Sequence, residues 1–183
     1  MELDFQKIVD CEVCGNTRHI RNGRRVSRCE CFVEHMRNMK VRALGLKSIE
    51  CSKHVIDRIG ESIVLVGGYE HCQKIVGGVV YASPVDFGTR VVAAYDIAEH
   101  FLGHVEDDVG IAHFCVSDLL VVFLAFNSMT NRVLGDMIVH IVQSRRLAGR
   151  PTWFAVPPSP NIGKLYGAAV KALVNSLPKV KLG

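Results

Sequence analysis

The sequence predicts an α/β fold in which a parallel sheet with flanking helices follows a small metal-binding module. Three observations predict it, and the first is that four of the seven cysteines lie between residues 11 and 31. Apolar runs alternate with helix-like amphipathic stretches over the rest of the chain, as they do where helices connect parallel strands. The 183 residues, 49% of them apolar, suffice for one sizeable core with a small appendage. We therefore assign residues 1–47 to a basic metal-binding module with its connecting helix, and residues 48–183 to the α/β core.

The four cysteines are spaced as Cys11-x-x-Cys14 and Cys29-x-Cys31. Two thiolate pairs separated by a short loop can surround one soft divalent ion, and zinc is the ion that such a set favours. Because all four positions are cysteines, no position is left for a catalytic water, so we expect the zinc to be structural. Free thiols or a disulfide pair are the alternatives. A disulfide requires an oxidising compartment, whereas the chain begins without an apolar signal segment and we expect a cytoplasmic protein.

Positive charge is concentrated in the module. Residues 11–47 contain nine lysines and arginines and three glutamates, a net charge of +6, whereas the whole chain has +4. This excess favours contact with nucleic acid or with an acidic partner surface, and a merely solvated basic face is the alternative. Asn22-Gly23 predicts the turn of a two-stranded ribbon. The ribbon and its flanks display the arginines that we expect to contact nucleic acid: Arg18, Arg21, Arg24, Arg25 and Arg28.

Two helices are predicted next. Apolar residues recur at spacings of three and four over 32–44, and Gly45 can cap the end of that helix. A shorter helix over 53–59 leads to the run 62–66, whose uninterrupted apolar character is typical of a buried parallel strand.

The turn after this strand has the order of a phosphate-binding loop: strand, glycines, lysine, helix. In such a loop, backbone N–H groups and the lysine bind the phosphates, and a Ser/Thr hydroxyl binds magnesium. Gly68 and Lys74 keep the spacing of the first glycine and the lysine. Gln73 replaces the second glycine, Ile75 replaces the hydroxyl, and Glu70 adds a carboxylate. We therefore expect a retained strand-to-helix turn rather than a site for ATP and magnesium, and nucleotide binding is the alternative.

A strand over 90–94 and a helix beginning at Asp96 follow. We predict another strand over 111–117 that ends at Asp118. An acid at the tip of a buried strand is where a P-loop ATPase holds its magnesium-binding aspartate, which makes Asp118 a candidate. The next position is Leu119 rather than a second acid, so a strand-end cap is the alternative role.

The remaining elements complete the alternation. A helix beginning at residue 127 or 128 runs to about 147 with one apolar stripe. A strand over 152–156, a helix over 162–174 and a short basic end follow. The longest apolar run, 119–126, is too short to cross a bilayer, so we expect no membrane span.

The order of these pieces resembles the DnaC/IstB-type AAA+ family, which comprises helicase loaders and their phage and transposon relatives. The resemblance covers most of the chain: the cysteine module ahead of the core, the turn from Gly68 to Lys74, the Asp118 strand, and the phrase Leu147-Ala-Gly-Arg150-Pro-Thr152 before a strand. It implies a P-loop NTPase core of the AAA+ type. It also implies a replicative helicase or another replication protein as the partner.

The departures from the family fall on catalytic positions. Besides the substitutions already named, Pro157 stands where the family has a polar sensor residue, and Ala169 and Lys171 stand where it keeps an arginine. Hydrolysis needs metal, lysine and arginine acting together on the γ-phosphate. We therefore predict a pseudo-ATPase, a non-catalytic loader-like binding protein that contacts nucleic acid, single-stranded DNA in particular, through its module. An active divergent loader that uses Lys74 and Asp118, and a purely protein-binding regulator, are the alternatives.

Overall fold

The computed structural model describes residues 11–15, 17–103, 109–126 and 132–182. The predicted helix start at residue 127 or 128 lies outside the described residues. The N-terminal module consists of an antiparallel hairpin and a helix: β1 (His19–Asn22), β2 (Arg25–Arg28) and α1 (Glu30–Ala43). Gly23 has a φ of +61°, the sign that a type II′ hairpin requires of its first loop residue, which explains why Asn22-Gly23 predicted the turn correctly.

The core is a five-stranded sheet in the order β4-β5-β6-β3-β7, and every neighbouring pair is parallel. Its strands are β3 (Val64–Val66), β4 (Thr89–Ala93), β5 (Leu119–Phe123), β6 (Thr152–Val156) and β7 (Lys179–Lys181). Its helices are α2 (Lys53–Ile56), α3 (Tyr69–Ala82), α4 (Ala94–Gly103), α5 (Val109–Cys115), α6 (Arg132–Leu147), α7 (Ile162–Tyr166) and α8 (Ala168–Ser176). The predicted fold class, a parallel sheet with flanking helices, is confirmed.

Both faces of the sheet are covered. Successive strand residues point to opposite faces, so Leu119 and Val121 pack with α1 and α3, whereas Leu120 and Val122 pack with α4, α6, α7 and α8. All ten residues of β5 and β6 are buried. This two-sided burial is why the central strands have uninterrupted apolar sequences.

The predicted strand over 111–117 is wrong, because residues 111–115 belong to helix α5. The strand is formed instead by the uninterrupted apolar run that begins at Leu119. A short apolar run has no periodicity that separates a buried helix from a buried strand, which explains the error. The predicted helix over 162–174 is divided at Gly167, which has a φ of +89°.

The segment between α1 and α2 crosses α3 so closely that the main-chain atoms of the two are in contact. The Glu50 N–H donates to the Lys74 carbonyl at 2.9 Å, and a Cβ on Gly78 would lie 2.1 Å from the Glu50 carbonyl oxygen. Only glycine fits at such an approach. Among the described residues, no helix has the length and hydropathy that crossing a bilayer would require.

Candidate functional site

The four module cysteines form one cluster. All their sulfur atoms lie within 4.8 Å of one another, with 3.7 Å between Cys11 and Cys29 and 3.5 Å between Cys14 and Cys31. A tetrahedral zinc ion with Zn–S distances of about 2.3 Å holds its sulfurs about 3.8 Å apart, so the cluster fits this ion. The cysteine spacing predicted a four-cysteine metal site, and the geometry of the cluster agrees with that prediction.

Hydrogen bonds to backbone carbonyls order the loop that joins the two cysteine pairs. The Thr17 hydroxyl donates to the Cys14 carbonyl at 2.6 Å, and the Cys29 N–H donates to the Arg18 carbonyl at 2.9 Å. Cys29 is also the N-cap residue of α1, and Cys31 lies in the first turn of that helix. The positive end of the helix dipole stabilises thiolates at this position.

The thiols also influence one another. The pKa of Cys11 is lowered to about 7, mainly by a hydrogen bond from the Cys14 backbone. The pKa of Cys31 is raised to about 12, mainly by burial and then by hydrogen bonds with the neighbouring cysteines. Because the four sulfur atoms lie within 4.8 Å of one another, several thiolates would repel each other unless a cation lay between them. A bound zinc ion would supply that charge and tie the module together, and Cys11, Cys14, Cys29 and Cys31 are the residues that would hold it.

The hairpin carries the predicted arginines, but on both of its faces. In the ladder, His19 lies opposite Arg28 and Arg21 opposite Val26, so Arg21 and Arg28 share one face. Arg25 lies on the other face and Arg24 in the turn. All of these arginines are exposed except Arg18, which is half-buried at the base of the hairpin.

An aromatic surface lies beside one of these faces. The guanidinium carbon of Arg28 is 5.5 Å from the centre of the Phe32 ring, and the His19 ring stacks on the same ring at 6.1 Å. Such rings next to cations suit the stacking of unpaired bases. Sequence analysis assigned Phe32 only to a helix face and did not single out His19. The signal that could have found them was the position of these rings at the two ends of an arginine-rich ribbon.

The structure brings Gly68 and Lys74 to one open cavity of about 630 Å³. Helix α3 begins immediately after Gly68, so the residues that would form a phosphate-binding loop are its first turns, and Lys74 is exposed in the second. The cavity is also lined by Glu50, Glu70 and His71, and the His71 Nε2 lies 3.5 Å from a Glu50 carboxylate oxygen. Two carboxylates beside one lysine oppose the binding of a polyphosphate.

Asp118 is not part of this cavity. It precedes β5 and therefore lies at the amino end of the sheet, whereas Gly68 follows the carboxyl end of β3. Its carboxylate accepts a 2.6 Å hydrogen bond from the Gly88 N–H, just before β4. The structure thus does not bring Asp118 together with Gly68 and Lys74. The sequence placed it at a strand tip because the strand itself was assigned one segment too early.

The true tip of β5 is apolar. Phe123 ends the strand and Leu124 follows it, and neither side chain can bind magnesium. The Tyr69 ring, on the first residue of α3, lies 5.2 Å from the Phe123 ring and 5.2 Å from the Phe126 ring. We call Tyr69, Phe123 and Phe126 the aromatic cluster. It joins the start of α3 to the strand tip where a P-loop NTPase has an acid.

Solved structures of replication proteins have a similar core. The fold of the core is similar to that of the replication proteins DnaA, DnaI and DnaC. Similar chains include the replication initiator DnaA bound to AMPPCP and single-stranded DNA, with 14% identity, a TM-score of 0.59, and coverage of 71% of this chain and 43% of that one. The DnaI structure has 12% identity and a TM-score of 0.53, with coverage of 71% of this chain and 82% of that one. The DnaC helicase loader has 11% identity and a TM-score of 0.50, with coverage of 69% of this chain and 80% of that one.

These similarities concern the fold. The chain spans less than half the length of the DnaA structure that it matches. The sequence matches no protein-family profile and no curated protein.

Proposed function

We propose that this chain is a non-catalytic, loader-like binding protein that acts on a replicative helicase or another replication protein and contacts nucleic acid through its zinc module. The AAA+ fold shared with the DnaI and DnaC structures supports the loader-like role. The DnaA structure contains single-stranded DNA, which supports nucleic acid as a partner class for this fold.

The aromatic cluster is the observation that carries the pseudo-ATPase part of the proposal. Phosphoryl transfer requires a metal ion held at the strand tip and a lysine on the outer phosphates. Here the strand tip presents Phe123 against Tyr69, and Lys74 shares its cavity with Glu50 and Glu70. A ring stands where an acid would hold the metal ion, and two carboxylates oppose the charge of the lysine.

The module supports the nucleic-acid part. A hairpin with exposed arginines on both faces and in its turn can contact phosphates along a flexible strand. The Phe32 and His19 rings beside Arg28 offer a stacking surface that does not distinguish between bases. Binding is then strongly salt-dependent with little sequence preference.

Nucleotide titration tests the first part. Zinc-loaded protein is titrated with ATP and ADP, with and without magnesium, beside Lys74→Ala. We expect no specific binding at millimolar nucleotide in either protein. Magnesium-dependent binding and turnover that disappear in Lys74→Ala would instead establish an active, divergent loader.

DNA titration tests the second part. The double variant Arg24→Ala/Arg25→Ala is compared with Lys47→Ala/Lys53→Ala, which removes two exposed charges away from the hairpin. We expect the first pair alone to weaken oligothymidylate binding and to reduce the salt slope by about 1.4, since each phosphate contact on a single strand contributes about 0.7. An unchanged slope would remove the nucleic-acid assignment and favour a purely protein-binding regulator.

A further inference from the structure

A second basic site lies in the core, far from the hairpin in sequence. It is a groove of about 340 Å³ beside the edge strand β7, under helices α7 and α8. Three lysines line it, Lys171 from α8 and Lys179 and Lys181 from β7, together with Asn161 and Asn175. The groove floor consists of valines from β3, β6 and α8.

The strand and helix geometry directs these lysines into the groove. Lys179 and Lys181 are exposed on either side of Val180, which is buried in the opposite layer with α3, so both lysines lie on the groove face of β7. The aliphatic stem of Lys171 lies against α7, where a Cβ on Gly163 would be 3.0 Å from its Cδ. The ammonium groups therefore come from two different walls of the groove.

The charge of this region is one-sided. Residues 151–183 contain four lysines and neither aspartate nor glutamate. Within the part of the chain that the structure describes, the groove lining contains no carboxylate, in contrast to the Lys74 cavity with Glu50 and Glu70. Cations gathered in a concave site with apolar walls focus a positive potential that attracts anions. The Asn175 amide oxygen accepts a 3.1 Å hydrogen bond from the Lys179 ammonium and so helps to orient it.

We propose that this groove binds a nucleotide unit, with its phosphate on the lysines and its sugar or base on the valine floor. Ligand cavities start at about 300 Å³, and the groove is just large enough for one such unit. The two asparagine amides provide both donors and acceptors for hydroxyl groups or base edges. A free nucleotide and one residue of a nucleic-acid strand share this chemistry. The proposal depends neither on the zinc module nor on Lys74.

Calorimetric titration of the full zinc-loaded chain with 5′-AMP and with oligothymidylate tests the proposal. The groove variant is Lys171→Gln/Lys181→Gln, and the matched control is Lys53→Gln/Lys164→Gln. Lys164 lies on α7 beside the groove but outside its lining, and all four side chains are exposed, so folding is preserved in both variants. The oligothymidylate arm is run in the Arg24→Ala/Arg25→Ala background to reduce the hairpin contribution.

We expect the groove variant to bind at least one probe about tenfold more weakly than the control variant does, because charge-assisted contacts to phosphate are lost. A loss confined to AMP identifies a free nucleotide as the source, and a loss confined to oligothymidylate identifies a strand. The proposal is overturned if neither probe binds the unmodified chain, if both variants weaken equally, or if AMP binding is lost only in Lys74→Ala. It is also overturned if the groove variant self-associates with unchanged probe binding, since the lysines would then merely protect an edge strand.

Discussion

The module and the core are stabilised in different ways. All eight residues of β1 and β2 are exposed or half-buried, whereas all ten residues of β5 and β6 are buried. The hairpin therefore has no core of its own and relies on the cysteine cluster, while the sheet is held by burial on both faces. The difference shows why the tip of β5 can carry the ring of Phe123, since burial on both faces stabilises the sheet without a charged group at that position.

Helix α1 joins the two regions. Its first turn carries Cys31, and its last turns bury Val41 in the same core layer as α3. Along this contact, the Lys40 ammonium donates to the Ser83 hydroxyl and the Pro84 carbonyl. The orientation of the hairpin is thus set by the docking of one helix. The division at residue 47 stays a prediction, since α1 contributes to both parts.

The largest effect is expected from metal removal. Chelation should unfold the hairpin and the start of α1, because structural zinc contributes about 10–16 kcal/mol to the folding of small cysteine modules. The core should persist, since its stability comes from burial. Alkylation with mass-spectrometric readout separates the two: the four cluster cysteines should become reactive, whereas Cys72 stays protected because it is buried and burial raises its pKa to about 11. Equal labelling of Cys72 would show that core and module unfold together.

A smaller effect is expected in the core from Arg145→Met. Arg145 is fully buried, and burial lowers its pKa to about 10. Its guanidinium donates to oxygen atoms of Phe114, Ser117, Asp118, Pro151 and Thr152. Because several of these oxygen atoms would lose their donor inside the protein, we expect a loss of about 3–5 kcal/mol in the free energy of unfolding, measured with urea.

The exposed neighbour Arg146 provides the control for this variant. Arg146→Met should change the free energy of unfolding by no more than about 0.5 kcal/mol, because it is a surface substitution. Metal affinity should be unaffected by either variant. If Arg145→Met weakened zinc binding as well, the two regions would not be stabilised independently.

The smallest effect is expected at the junction itself. Lys40→Ala removes the two hydrogen bonds to Ser83 and Pro84 and should cost about 1 kcal/mol, whereas Lys47→Ala, an exposed position beyond α1, should be neutral. Hydrogen exchange of the α1 amides is the sensitive measurement, because the variant should loosen the docking of α1 without affecting the sheet. Equal exchange in both variants would mean that Lys40 does not hold the helix.

Local patterns in the sequence predicted much of this structure. The cysteine spacing, the Asn22-Gly23 turn and the strand over 152–156 all matched, because each depends on chemistry within a few residues. Helix α1 was also predicted with nearly correct bounds, since its apolar periodicity and Gly45 are both local signals.

The elements that the sequence did not predict depend on tertiary structure. β7 has only three residues, and its pairing with β3 rather than its sequence makes it a strand. The segment 109–123 contains two apolar runs, and only packing determines that the first is helix α5 and the second strand β5. That one displacement moved Asp118 to the wrong end of the sheet and hid Phe123 as the strand tip. The missed strand β7 likewise hid the lysine groove, whose residues meet only after β7 is in place.

The backbone contact between Glu50 and Gly78 limits how far mutation can change the orientation of the hairpin. The chain that leaves α1 is pinned to α3 by main-chain atoms, through the Glu50–Lys74 hydrogen bond and the close approach at Gly78. Side-chain substitutions along α1 can weaken its packing against α3 but leave these main-chain contacts in place. Substitutions of the hairpin arginines would therefore change the charge that the hairpin displays without changing the direction in which it points.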